Sequence, residues 1–123
     1  MSTLSGEPRE NLMEINPRTN GNVTILDLKG NLTIGPPEEQ LGETIAQCLN
    51  KGEKHLLLNM GEVPFIDSSG IGGLIKSFSR VKNEGGKLKL LNPSPNAYQL
   101  LSITGLRSVL EIFDDEAKAL SSY

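Results

Sequence analysis

Two periods of apolar residues take turns along this chain. In some stretches apolar residues stand two apart or in short unbroken runs; in others they stand three and four apart. The first pattern marks strands and the second marks helices. Residues 12–17 read as a first strand. Thr19-Asn20-Gly21-Asn22 follows as a hairpin turn, because Asn-Gly tolerates the positive φ of a tight reversal. Val23–Lys29 is the second strand, with Val23, Ile25 and Asp27 on one face and Thr24, Leu26 and Leu28 on the other. Apolar residues on both faces predict a strand inside the sheet.

Gly30 ends that strand, and residues 31–37 form a loop. Pro36 and Pro37 suit the first turn of a helix, where a missing N–H costs nothing. Leu41, Ile45, Cys48 and Leu49 mark its core stripe, and Asn50-Lys51-Gly52 closes it. Residues 55–60 are a short apolar run and predict a central strand buried on both faces. A second apolar run, residues 63–66, reads as strand and stops at Asp67-Ser68-Ser69-Gly70. Ile71, Leu74, Ile75, Phe78 and Val81 then predict a helix with one apolar stripe, ending near Gly85-Gly86.

Lys87–Leu91 is the next strand. Asn92-Pro93-Ser94-Pro95 turns into a helix over residues 96–104, with Ala97, Leu100, Leu101 and Ile103 inward and Gly105 as C-cap. Residues 109–113 read as a last strand. Asp114, Asp115 and Glu116 open a terminal helix, where acids favour the positive end of the dipole. The alternation predicts an α/β fold, with right-handed crossovers and a mixed, mostly parallel sheet of about five strands flanked by about four helices. The initial hairpin adds an antiparallel edge strand. Residues 12–123 are expected to form one domain behind a flexible N-terminal tail, residues 1–11.

Composition narrows the function. The 123 residues carry a net charge of −3 with both signs interspersed, so nothing marks a nucleic-acid footprint. No apolar run nears the ~20 residues that cross a bilayer. The first residues lack the charged-then-apolar layout of a secretory signal, and the single cysteine forms no CxxC, so a cytoplasmic protein is expected. Cys48 lies on a helical core stripe and reads as a small buried hydrophobe rather than a reactive thiol.

Catalytic and metal chemistry find no support. His55 is the only histidine, and it belongs at the far end of its strand from the Ser-Ser turn, out of reach for a Ser-His-Asp arrangement. Gly70-Ile71-Gly72-Gly73 matches neither a Walker loop nor a GxGxxG fingerprint. No catalytic residue, cofactor site or metal site is assigned, and the chain is read as a non-enzyme. What remains is a hydroxyl at a helix mouth. Asp67 or Ser68 is a natural N-cap. A serine there stands exposed beside a partial positive charge, suited to receive a phosphate or to touch a partner. Gly72 reads as close packing of the helix on its sheet. Gly73 projects away from the apolar stripe, which leaves docking and internal packing equally open.

Phe65-Ile66-Asp67-Ser68-Ser69-Gly70-Ile71-Gly72 resembles the signature of STAS domains, specifically of bacterial anti-sigma-factor antagonists. Leu28-Lys29-Gly30-Asn31-Leu32, Leu56-Leu57-Leu58-Asn59, Gly85-Gly86 and Thr104-Gly105-Leu106 add weaker matches, and the element order agrees over about residues 12–120. The resemblance implies partner switching. The unmodified antagonist binds an anti-sigma factor that is itself a serine kinase and so frees the sigma factor; phosphorylation by that kinase ends the binding, and a serine phosphatase restores it. It implies Ser68 as the phosphoacceptor. It places Asp67 beside the hydroxyl or against the kinase, and puts Ser69, Gly70, Ile71 and Gly73 on the docking surface together with Leu32 and Thr33. Many members carry Gly-x-Leu-Asp after the second strand; here the stretch is Gly30-Asn31-Leu32-Thr33, without the acid. A monomer or weak dimer is expected, with no direct nucleic-acid or membrane contact. Two rival readings are a STAS scaffold that is never phosphorylated and, behind it, a small nucleotide-binding enzyme built on the Gly-rich turn.

Overall fold

The computed structural model describes residues 12–123. The expected tail, residues 1–11, lies outside the described residues. Five strands form one sheet in the order β1-β2-β3-β4-β5: β1 (Glu14–Asn20), β2 (Val23–Lys29), β3 (His55–Glu62), β4 (Lys87–Leu91) and β5 (Ile112–Phe113). The β1–β2 hairpin is antiparallel, with Asn20 opposite Val23 and Gly21 at φ +61°, and every other pairing is parallel. The helices are α1 (Pro36–Asn50), α2 (Ser68–Asn83), α3 (Pro95–Ile103) and α4 (Glu116–Ser121), with a 3-10 turn at Leu106–Ser108. Sequence and structure agree on the order of all strands and helices.

The parallel strands alternate between two apolar faces. Leu26, Leu28, Leu56, Leu58, Met60, Leu88 and Leu90 meet Leu41, Ile45, Leu74, Val81 and Leu101 of α1, α2 and α3. On the opposite face Val23, Ile25, Leu57 and Leu91 meet Phe113 of β5 and Ala119, Leu120 and Tyr123 of the C-terminal segment. Both faces of β2 and β3 are therefore covered, as the apolar runs require. Charge on the α4 side is paired: Arg18 bridges Asp27 and Glu116, each at 2.6 Å. Lys89, 3 % exposed, donates to the Ser122 carbonyl at 2.8 Å and hydroxyl at 2.9 Å and pairs with Glu111. Cys48 is buried, and desolvation, with Glu53 nearby, pushes its thiol up to about 11.

Several expected boundaries move. Strand β3 stops at Glu62; residues 63–66 form a loop, with Val63 and Ile66 buried and only Ile66 in a bridge, to Leu32. Strand β5 keeps two of the residues expected, and Val109 is 51 % exposed. Ile103 points to solvent, 72 % exposed, one residue before the C-cap Thr104, while Gly105 follows at φ +77°.

Candidate functional site

The Ser68 turn sits at the C-terminal ends of the parallel strands, where an open α/β sheet places its functional loops. Two loops are laced together there. The Leu32 N–H donates to the Phe65 carbonyl at 3.0 Å, and the Asp67 N–H donates to the Leu32 carbonyl at 3.4 Å. A third contact comes from the first turn of α3, where the Asn96 side-chain oxygen accepts the Ile66 N–H at 2.9 Å. The segment before Ser68 is thus fixed by its neighbours on either side.

Asp67 is the N-cap. Its backbone is extended (φ −102°, ψ −176°), and its Oδ1 accepts the Gly70 N–H at 2.8 Å. That satisfies one of the donors a helix start leaves free. Its Oδ2 accepts the Ile34 N–H at 3.2 Å, which ties the α1-side loop to the start of α2. Ser68 is consequently the first helical residue, not the cap. It is exposed, and among the described residues its hydroxyl has no hydrogen-bond partner.

The eight residues expected at the site divide by burial. Ser68 is exposed, and Asp67, Ser69 and Thr33 are half-buried. Leu32, Gly70, Ile71 and Gly73 are buried. The Gly70 position is dictated by the fold: a Cβ there would collide with the Leu32 carbonyl oxygen and stand 2.6 Å from Ile66 Cγ1. Gly72 is not packed on the sheet as expected, and Gly73, for which docking and packing were both open, lies against α1. Gly73 faces α1, where an added Cβ would lie 3.2 Å from Glu38 Cγ, whereas one on Gly72 would meet nothing within 4 Å. The buried arc of α2 runs through Gly70, Ile71, Gly73, Leu74, Ser77 and Val81. Ile75, expected inside, is 40 % exposed.

The solvent side of α2 therefore carries Ser68, Gly72 and Ile75 at steps of four and three, one above the other on a single face. Ile34, 71 % exposed, and Phe65, 47 % exposed, extend this surface on the two flanking loops. Neither was singled out from the sequence. Phe65 precedes the turn in a run that reads as buried strand, and only the break after Glu62 frees it. An exposed hydroxyl on a helix face, with flanking loops that also expose apolar side chains, suits a protein partner better than a small polar substrate. His55 lies at the opposite end of β3, with its ring 5.5 Å from that of Tyr123. Among the described residues no cluster of His, Cys, Asp or Glu suits a metal ion, and no helix is long and apolar enough to cross a membrane.

Comparison with known proteins places this arrangement. The chain matches the STAS domain over residues 14–119. It is 30 % identical over 104 residues to the anti-sigma F factor antagonist of Paenibacillus polymyxa, covering 80 % of this chain and 85 % of that one. Its fold is similar to that of the Bacillus cell fate determinant SpoIIAA in its phosphorylated form, with a TM-score of 0.68, 22 % identity, and coverage of 89 % of this chain and 97 % of the other. It is also similar to a sulfate transporter family protein from Wolinella succinogenes, with a TM-score of 0.71, 26 % identity, and coverage of 82 % and 84 %. A match that spans the sheet, α1 to α3 and the start of α4, together with the Asp-Ser-Ser-Gly turn at the head of α2, makes this chain a member of the STAS domain family.

Proposed function

We propose that this protein is an anti-sigma-factor antagonist. Unmodified, it binds an anti-sigma factor that is a serine kinase and so releases a sigma factor. Phosphorylation of Ser68 ends that binding, and a serine phosphatase restores it. The observation that carries this reading is the free hydroxyl of Ser68, exposed at the first position of α2 and set among the exposed apolar groups Ile34, Phe65 and Ile75. The relative from Paenibacillus polymyxa, named as an antagonist of this kind, supports it.

The chemistry of the switch follows from the position. A phosphate adds about −1.5 to −2 charge at pH 7. At the start of a helix the free N–H groups and the dipole favour an anion, so α2 stays folded after modification. The cost falls on the complex. Bulk and charge arrive at the centre of a docking face, beside the Asp67 carboxylate. An unpaired charge buried in an interface costs several kcal/mol, on the order of 2–5. The test is incubation with the cognate kinase and ATP. A gain of about 80 Da on the wild type, absent from Ser68→Ala, is the expected result; no gain on the wild type overturns the switch.

The likeness to the Wolinella succinogenes sulfate transporter family protein favours a second reading, a STAS module that binds sister domains in a larger assembly and is never phosphorylated. The same incubation separates the two, because the scaffold gains no mass.

A further inference from the structure

The groove between α1 and α2 has a floor that the fold itself does not require. Gly42 lies in the middle of α1, yet a Cβ on it would meet nothing within 4 Å. Alanine there would strengthen the helix and touch no neighbour. Gly73, on α2 beside the Glu38 stem, lines with Gly42 a cleft of about 350 Å³. Ser77 lines the same cleft. It is 4 % exposed, and among the described residues its hydroxyl makes no hydrogen bond. No fully enclosed side-chain polar atom among the described residues lacks a partner, so this hydroxyl opens on the cleft rather than into the core. A nearly buried, unpartnered hydroxyl beside a glycine that the packing does not explain points to something that enters from outside.

Charge indicates what enters. Glu38 and Glu39 lie in the first turn of α1, while Lys76 and Arg80 lie farther along α2 and line the same cleft, with Lys76 Nζ 3.9 Å from Glu38 Oε1. Both helices start at the C-terminal ends of parallel strands, so the groove is acidic at the end nearer Ser68 and basic at the far end. We propose that it receives one helix of the anti-sigma factor, an inference that rests on reading the chain as an antagonist. That helix carries a basic residue over Glu39, since Glu38 is already paired with Lys76, and an acidic residue over Arg80. Between them a small side chain packs over Gly42, and a polar one bonds the Ser77 hydroxyl. Glycines in the floor let the second backbone come close.

The test is calorimetric titration of the purified protein with the anti-sigma factor, using wild type, Gly42→Phe, Gly42→Ala, Arg80→Glu and Ser68→Asp, with circular dichroism on each. Gly42→Phe fills the groove and should weaken binding by at least about tenfold, Gly42→Ala far less. Arg80→Glu should weaken binding and change its dependence on salt. Wild-type affinity in a folded Gly42→Phe overturns the proposal. Should Gly42→Phe not fold, unchanged affinity and salt dependence in Arg80→Glu overturns it. Binding that Ser68→Asp abolishes and Gly42→Phe leaves intact sinks the groove alone, whereas a wild type that binds no anti-sigma factor sinks the antagonist reading. A concentration-dependent dimer that Gly42→Phe dissolves assigns the groove to a second copy of this chain and likewise overturns the proposal.

Discussion

Asp67 holds the backbone of Ile34, 33 residues earlier in the chain, through a 3.2 Å hydrogen bond from the Ile34 N–H to its Oδ2. The other oxygen caps Gly70 at 2.8 Å. One carboxylate therefore sets both the start of α2 and the loop that carries an exposed isoleucine next to it. Asp67→Ala removes a cap and a loop tie together. A cap is worth about 1 kcal/mol and a second bond to a charged group about as much again. Urea denaturation should show a loss of about 2 kcal/mol, with Asp67→Asn between the two. Wild-type stability in Asp67→Ala would show that neither bond contributes in solution.

The glycines of α2 make opposite predictions. Gly70→Ala drives a methyl into the Leu32 carbonyl, a rigid backbone group, and should destabilise the domain by about 1–3 kcal/mol. Gly72→Ala meets nothing within 4 Å and should stabilise it by about 0.5–1 kcal/mol. Thermal melts of the two variants read this contrast directly. Equal shifts would contradict the burial of Gly70 and the openness of Gly72.

The phase of α2 is also where sequence reasoning stopped. Apolar periodicity located α1, α2 and α3, the acids at its start located α4, and the Pro36-Pro37 start, the Asn20-Gly21 turn and the doubly apolar β2 were all legible, because each follows from local stereochemistry. The Asp-Ser-Ser-Gly turn was legible as a helix mouth for the same reason. The phase was not, since an apolar pattern is blind to a buried glycine or serine. Ile75 drew the stripe toward itself, while the buried arc passes through Gly70, Gly73 and Ser77. Residues 63–66 read as strand because they are apolar, but Leu32 alone pairs with Ile66. Contacts between distant parts of the chain, such as Arg18 with Glu116, 98 residues apart, leave no local trace.

That Arg18 network gives the chain a dependence on acid. Arg18 hydrogen-bonds Asp27 and Glu116 and holds both carboxyls below their ordinary values of 3.8 and 4.5. A carboxyl lowered in the folded state adds stability that is complete above its unfolded value and fades as pH falls through the folded one. The loss should therefore begin near pH 5 and deepen toward lower pH. The three side chains are a third or more exposed, so screening limits the effect to about 1 kcal/mol. Stability measured against pH should fall less steeply on the acid side in Arg18→Ala, and salt should narrow the difference. Parallel acid limbs would mean the network adds nothing.

The most direct measurement compares unmodified protein with protein phosphorylated at Ser68 in a titration against the anti-sigma factor. The helical circular dichroism of the two forms should match, while affinity falls by at least about a hundredfold, on the order of 3 kcal/mol. Equal affinity with Ser68 fully phosphorylated would contradict a switch that works by placing charge on the docking face.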